Sequence, residues 1–280
     1  MMVAYMRAVA DVGASHVRDF RDPTARVFLN AKWLRRLQKV EQQVRSGRES
    51  VTLAAARVSA DMMALRTATI DAAVQAAVTR GTAQLVILGA GLDGRAWRMS
   101  ELAGVRVFEV DHPATQGIKR ARVAQLPPPI GILSFVSIDF ERESLDKALD
   151  RAGHDRKLPT CWIWEGVVMY LTHDAMQATL AGIAGRSANG STLIVNYHTA
   201  HRRWLARLIF RLIGEPQISA WAPEEMATDL RSAGFVVRED TGMLDWNAKF
   251  ARGEARVQRA PYMRVAVAKT LGPEGAYHAR

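Results

Sequence analysis

The chain is predicted to fold as an α/β protein: a seven-stranded, mostly parallel sheet with helices on both faces, an antiparallel edge hairpin and a helical region in front. Three observations predict it. From residue 84 onward, short β-branched runs alternate with helix-length stretches, as in a parallel sheet joined by crossover helices. Residues 1–80 lack that alternation and are rich in alanine and other helix formers. A chain of 280 residues, 49% hydrophobic and 24% charged, is long and apolar enough to bury a sizeable core.

The elements follow in order. Residues 1–80 form a helical cap region, with breaks expected near Asp22-Pro23 and at Ser46-Gly47, where proline and glycine interrupt helices. Residues 81–280 carry the sheet, and the two regions are read as one compact unit. QLVILG opens the sheet and RAWRMSELA follows as a helix. VRVFEVD, SFVSIDF, TCWIWEG and STLIVNYH are the next strands, separated by ATQGIKRARVAQL, RESLDKALDRAG and HDAMQATLAGIAG. An insert at about 199–222 follows a strand's C-terminal end, where open α/β sheets place their sites, so it is read as a lid. PEEMATDLRSAG is the fifth crossover helix. The last two strands, residues 235–240 and 263–269, have no helix-length apolar pattern between them and are expected to form the edge hairpin.

Charge and cysteine content exclude several function classes. The net charge is +10, but residues 81–195 are neutral and the excess lies in the flanks, +6 in residues 1–80 and +4 in residues 196–280. Only 7 of the 38 basic residues are lysine, and no basic run with interleaved aromatics occurs, so nucleic-acid binding is not expected. No stretch reaches the ~18–20 apolar residues of a membrane span, and the first residues lack a signal-peptide core. The single Cys161 excludes an internal disulfide and fits a reducing compartment. A cytoplasmic protein without membrane insertion is expected.

The chemistry concentrates in QLVILGAGLDGRAWR, where Gly89, Gly91 and Gly94 have G-x-G-x-x-G spacing between a strand and a helix. Such a loop is a bare turn, a pyrophosphate cradle, or the floor of an S-adenosylmethionine (SAM) site, where no phosphate is involved. The second strand ends at Glu109–Asp111, and an acid there accepts ribose hydroxyls in either cofactor class. The third strand ends in Asp139-Phe140, a carboxylate for an adenine amino group and a ring to cover the base. The sheet also lacks a second βαβαβ half for a dinucleotide. These last two features favour SAM.

LRTATID, LGAGLDGRAWR, VFEVDHP and PTCWIWEGVVMYL together resemble the leucine carboxyl methyltransferase-like family, its bacterial SAM-dependent methyltransferases most of all. FRDPTARVFL and the late GEP and SAGF extend the resemblance over nearly the whole chain. It implies a class I, Rossmann-like methyltransferase fold with an N-terminal helical cap. By that resemblance Arg66 holds the methionine carboxylate of SAM. Gly89, Ala90, Gly91 and Asp93 line the cofactor. Asp111 binds ribose, and Asp139 and Phe140 bind adenine; Glu109, two residues earlier on the same face of the strand, is a second cofactor acid or else a structural or ion-paired one. Glu165 faces the methionine amino group or the transfer site. Gly94 and Trp97 depart from the family pattern, where a small hydroxyl residue and tyrosine are usual.

The reaction expected is methyl transfer from SAM to an oxygen, without a metal. A carboxylate acceptor is ionised at neutral pH and needs no base. A hydroxyl acceptor needs one, and His198 is the first candidate, with Tyr170 a further catalytic or pocket-wall residue. The stretch RRWLARLIFRLI, residues 202–213, repeats Arg203, Arg207 and Arg211 every four residues. A cationic, partly apolar lid would favour a small apolar acceptor carrying an acidic group. The alternatives are an NAD-binding oxidoreductase and a non-catalytic SAM-fold protein, whose version of that stretch is an interfacial helix.

Overall fold

The computed structural model of the chain describes residues 1–139, 142–199, 218–255, 257 and 262–270. Among these, seven strands form one sheet: β1 (Gln84–Leu88), β2 (Arg106–Asp111), β3 (Ile132–Ser137), β4 (Thr160–Trp164), β5 (Thr192–His198), β6 (Phe235–Gly242) and β7 (Met263–Thr270). Their order is β3-β2-β1-β4-β5-β7-β6. The first five run parallel, and β7 is antiparallel to both β5 and β6. β1 and β4 are buried at every position, which is why they read as unbroken apolar runs rather than alternating ones.

The two faces of those strands feed two apolar layers. Leu85, Ile87, Val107 and Ile163 point to one side. There they meet the long helix α4 (Val51–Thr79) through Leu65, Ile70, Val74 and Ala77. Val86, Leu88, Phe108, Trp162 and Trp164 point to the other. They pack on α7 (Leu145–Arg151), α8 (His173–Ala184) and α9 (Pro223–Ser232).

The N-terminal helices start and stop where local chemistry directs. α1 (Met2–Val9) runs into a π-helical turn, Ala10–Ala14. Asp22 caps α2 (Pro23–Val27) by accepting from Ala25 N at 3.1 Å, with Pro23 in the first turn. Asn30 caps α3 (Ala31–Ser46), which ends at Gly47 with φ +65°. Ser50 caps α4. The two expected breaks therefore fall at helix boundaries.

Two expectations about the sheet are corrected. A nine-residue helix, α10 (Met243–Ala251), lies between β6 and β7. The Gly242 amide donates to Asp245 at 2.8 Å and Trp246 is buried. Its buried set, Met243, Trp246, Asn247 and Ala251, includes a polar residue and spans barely two turns, too little periodicity to stand out. β3 ends at Ser137, so Asp139 lies in the loop beyond it rather than at the strand's end. Phe140 and residues 200–217, the larger part of the expected lid, lie outside the described residues.

Strand order reverses between β1, which leads outward to β2 and β3, and β4, which leads the other way. In an open parallel sheet a crevice forms at the C-terminal ends of two such strands. Here those ends are Leu88-Gly89 and Trp164-Glu165, and they pair in register as Leu88 with Trp164.

Candidate functional site

A cavity of about 640 Å³ opens above that switch point, floored by the strand ends and walled by α1 and α4. Eight residues singled out in the sequence line it: Arg66, Gly89, Ala90, Gly91, Asp93, Glu165, Tyr170 and His198. They come from four separate stretches of the chain, and the sheet and α4 bring them together.

The glycine loop turns sharply out of β1. Gly89 and Gly91 have φ of +64° and +49°, the left-handed region that favours glycine. A Cβ at Gly89 would lie 2.5 Å from Val167 Cγ2. Gly94, the third glycine of the spacing, serves a different purpose. A Cβ there would overlap Thr24 Oγ1 and stand 2.9 Å from Thr24 Cβ. Its absence lets α2 of the cap pack directly against the loop.

Arg66 projects from α4 and is 6% exposed. Its Nη2 lies 2.8 Å from Glu165 Oε1, just beyond the end of β4. Its Nε is buried with no hydrogen-bond partner among the described residues, and an unmet buried donor of that kind carries a desolvation cost. The other Glu165 oxygen accepts from Arg95 Nη1 at 2.9 Å.

Arg95 opens the short helix α5 (Arg95–Arg98), is fully buried and is the hub of a charge network. Its Nε donates to Asp71 at 2.7 Å, and its Nη1 also pairs with Asp93. Arg98 takes the other Asp71 oxygen at 2.7 Å and approaches Asp22 at 3.7 Å. Arg7 of α1 lies 3.4 Å from Asp22 and donates to the Leu92 carbonyl in the glycine loop. Four arginines and four carboxylates thus alternate from the cap to the strand ends. Burial by itself would raise the pKa of Asp71, Asp93 and Glu165. The guanidiniums of Arg98 and Arg95 (Asp71), of Arg95 (Asp93), and of Arg95 and Arg66 (Glu165) outweigh it and hold all three below the usual carboxylate range.

Sequence reasoning missed Arg95, Asp71, Arg98, Arg7 and Asp22. A signal was available for two of them: Arg95 closes GAGLDGR and Asp71 closes RTATID, opposite charges in two of the motifs that carry the family resemblance.

Among the described residues, three expected cofactor residues, Glu109, Asp111 and Asp139, do not line the cavity. Glu109 needs the clearest correction. Its side chain shares Asp111's face of β2, as alternation requires, but two residues before the strand's end that face is covered by α6 (Pro113–Val123). Its carboxylate is 1% exposed and pairs with Lys119 of α6, so it is a structural acid. Asp111, at the strand's end, is half-buried. One oxygen accepts from Gly91 N and the other from His112 N at 2.7 Å. Asp139 is half-buried, 3.5 Å from the exposed Arg142 guanidinium. His198 ends β5, and its ring meets Tyr262 edge-on with 5.0 Å between centroids.

No group of three or more metal-ligating side chains occurs among the described residues, and no helix there is long and apolar enough to cross a membrane.

Sheet order, helical cap and a cavity at the β1–β4 switch point define the class I SAM-dependent methyltransferase fold. Solved structures share it across nearly the whole chain. A DUF574 family protein from Streptomyces avermitilis superposes with a TM-score of 0.61 at 14% identity, covering 95% of this chain and 97% of that one. Magnesium protoporphyrin IX methyltransferase from Synechocystis, solved with S-adenosylhomocysteine bound, gives 0.51 at 14% identity, covering 88% and 98%. The leucine carboxyl methyltransferase family matches residues 1–184, and the chain belongs to that family. A Streptomyces coelicolor relative named "Putative S-adenosyl-L-methionine-dependent methyltransferase" is 40% identical over 130 residues, 46% of each chain. The chain spans about half the length of the curated relatives it matches.

Proposed function

We propose that the chain is a SAM-dependent methyltransferase acting on an oxygen of a small acceptor with an apolar body and an acidic group. The observation that carries the reading is the Arg66–Glu165 pair. It sets a buried guanidinium with one unmet N–H beside a carboxylate at the sheet's switch point. A free amino-acid head bears the complementary charges: its carboxylate suits Arg66 and its ammonium suits Glu165. Arg95 keeps Glu165 ionised for that purpose, and the network fixes its position.

In this reading the backbone of Gly89–Gly91 runs beneath the cofactor. Asp111 takes the ribose, its carboxylate already oriented by two backbone amides. Asp139 and Phe140 are assigned to the adenine. When bound, SAM would supply a methyl group on a sulfonium, open to in-line attack by an acceptor oxygen, with the C–S bond breaking and the thioether of S-adenosylhomocysteine leaving. The residues contribute chiefly by positioning, worth up to ~7–11 kcal/mol in well-oriented reactions. A carboxylate acceptor requires no proton transfer. For a hydroxyl acceptor, His198 at the cavity end of β5 is the assigned base, and Tyr170 also lines the cavity.

Calorimetry tests the cofactor half. S-adenosylhomocysteine is expected to bind and NADH not to. Asp111→Ala should weaken S-adenosylhomocysteine by roughly ten- to a hundred-fold, since a hydrogen bond to a charged group contributes about 1.5–3 kcal/mol. Binding of NADH in place of S-adenosylhomocysteine would return the fold to the dinucleotide class.

A further inference from the structure

The cavity is larger and more apolar than the charged end alone requires. Away from Arg66 and Glu165 its wall is dominated by thioethers: Met2 and Met6 from α1, Met62 and Met63 from α4, Met169 from the turn after β4, and Met263 from β7. Methionine supplies only 11 of the 280 residues, so this is a concentration, not a sample of the composition. The chain's core uses methionine sparingly, with Met99, Met176, Met226 and Met243 buried elsewhere. No phenylalanine or tryptophan lines the cavity among the described residues, and its rings are those of Tyr170, His198 and Tyr262.

The layout has a direction. Ser59, Met62, Met63 and Arg66 all border the cavity from one face of α4, at the three-to-four-residue spacing of neighbours on a helix. Seven residues at 1.5 Å each carry that face roughly 10 Å from the ionic end. Met2 and Met6 of α1 face the same space four residues apart. The two acids that line the wall among the described residues, Asp93 and Glu165, are both paired with arginines, so those residues present no free carboxylate to an acceptor at the methionine end.

We infer that this methionine-lined end is the acceptor subsite and that it takes planar aromatic compounds bearing a carboxylate or phenol oxygen. Thioether sulfurs make favourable contacts with aromatic rings, and unbranched methionine side chains adapt to different ring outlines. A saturated skeleton of the same size gains only burial. The subsite therefore selects for aromaticity while tolerating variation in shape. The claim rests on the methyltransferase reading for the position of the methyl donor, but its test is separable.

The experiment uses the full chain with ¹³C-methyl-labelled methionine, saturated with S-adenosylhomocysteine. It is titrated with 2-naphthoate and, separately, with decahydro-2-naphthoate, the saturated form of the same skeleton. The aromatic acid is expected to bind about ten-fold tighter, the sum of a few sulfur–ring contacts. It should move the methyl signals of Met6, Met62 and Met63 upfield by ring current and leave those of Met99, Met176, Met226 and Met243 in place. Replacing Met6, Met62 and Met63 together with leucine, which keeps side-chain volume nearly constant, should abolish the preference for the aromatic acid.

Equal affinity for the two acids, or ring-current shifts confined to the four core methionines, overturns the inference. If S-adenosylhomocysteine itself does not bind, the methyltransferase reading fails. The same pair of acids titrated into the cofactor-free chain then still decides whether the methionine end selects aromatic rings.

Discussion

Replacing Arg95 with methionine keeps the length and much of the volume of the side chain and removes its charge. Arg95 is fully buried, and its guanidinium faces three carboxylates, Asp71, Asp93 and Glu165. Two of the three keep another arginine: Asp71 retains Arg98 at 2.7 Å and Glu165 retains Arg66 at 2.8 Å. Asp93, 7% exposed, loses its one ion-pair partner among the described residues and keeps the backbone amide of residue 95 at 2.7 Å, with Lys119 and Arg7 acting on it from further away. The cost is therefore mainly that of one buried carboxylate left without its cation, about 3–5 kcal/mol. Urea unfolding followed by circular dichroism measures it as a fall in midpoint at unchanged slope. Adding Asp93→Asn removes the stranded charge and should return at least about 1–2 kcal/mol, a coupling that distant sites would not show. Arg95→Lys, which reaches one carboxylate rather than three, should fall between wild type and Arg95→Met. A loss below about 1 kcal/mol in Arg95→Met, or no recovery with Asp93→Asn, would refute the claim that Arg95 is the hub.

Three further outcomes are expected. Arg66→Lys should lose roughly ten-fold or more in affinity for S-adenosylhomocysteine but little for adenosine, because a point charge replaces a planar fork at the amino-acid end only; equal losses by calorimetry would mean that Arg66 acts through folding. Gly94→Ala should destabilise by about 1–3 kcal/mol, since its Cβ meets Thr24, and Thr24→Gly should restore most of that loss; unchanged urea stability of Gly94→Ala would contradict the packing. His154 is held down to about 4, by burial first and then by the Arg186 and Arg106 guanidiniums. Its neutral form is thus favoured on folding, so its contribution is full above the ordinary histidine value near 6.5 and is lost as pH falls toward 4. Between pH 7 and 5 the wild type should lose about 1–2 kcal/mol more than His154→Gln, and parallel pH curves for the two would contradict this.

The architecture was legible because the strands are short, apolar and separated by helix-length stretches. The cap breaks were legible because Asp22-Pro23 and Ser46-Gly47 are cap and stop chemistry. α10 was not, because MLDWNAKFA is too short to show a period above its polar residues. At the site, the motif residues Arg66, Gly89, Gly91 and Glu165 do meet at one cavity. Glu109 illustrates the limit of alternation, which tells the face of a strand but not how far along it a helix covers. The network was hidden for a different reason. Arg7, Asp22, Asp71 and Arg98 are spread over ninety residues, and nothing in a sequence distinguishes an arginine destined for a buried carboxylate from one left in solvent. Gly94 completes the G-x-G-x-x-G spacing, yet it is tertiary packing against Thr24 that requires a glycine there.

In the proposed function, the cavity between the glycine loop and the Arg66–Glu165 pair holds SAM by its amino-acid head. A crystal structure of the chain grown with S-adenosylhomocysteine tests it most directly. The ligand's carboxylate is expected within hydrogen-bond distance of the Arg66 guanidinium, its ammonium at Glu165 and its ribose hydroxyls at Asp111. A ligand bound with its adenine at the Arg66–Glu165 end, or seated outside the cavity with that pair undisturbed, would contradict it.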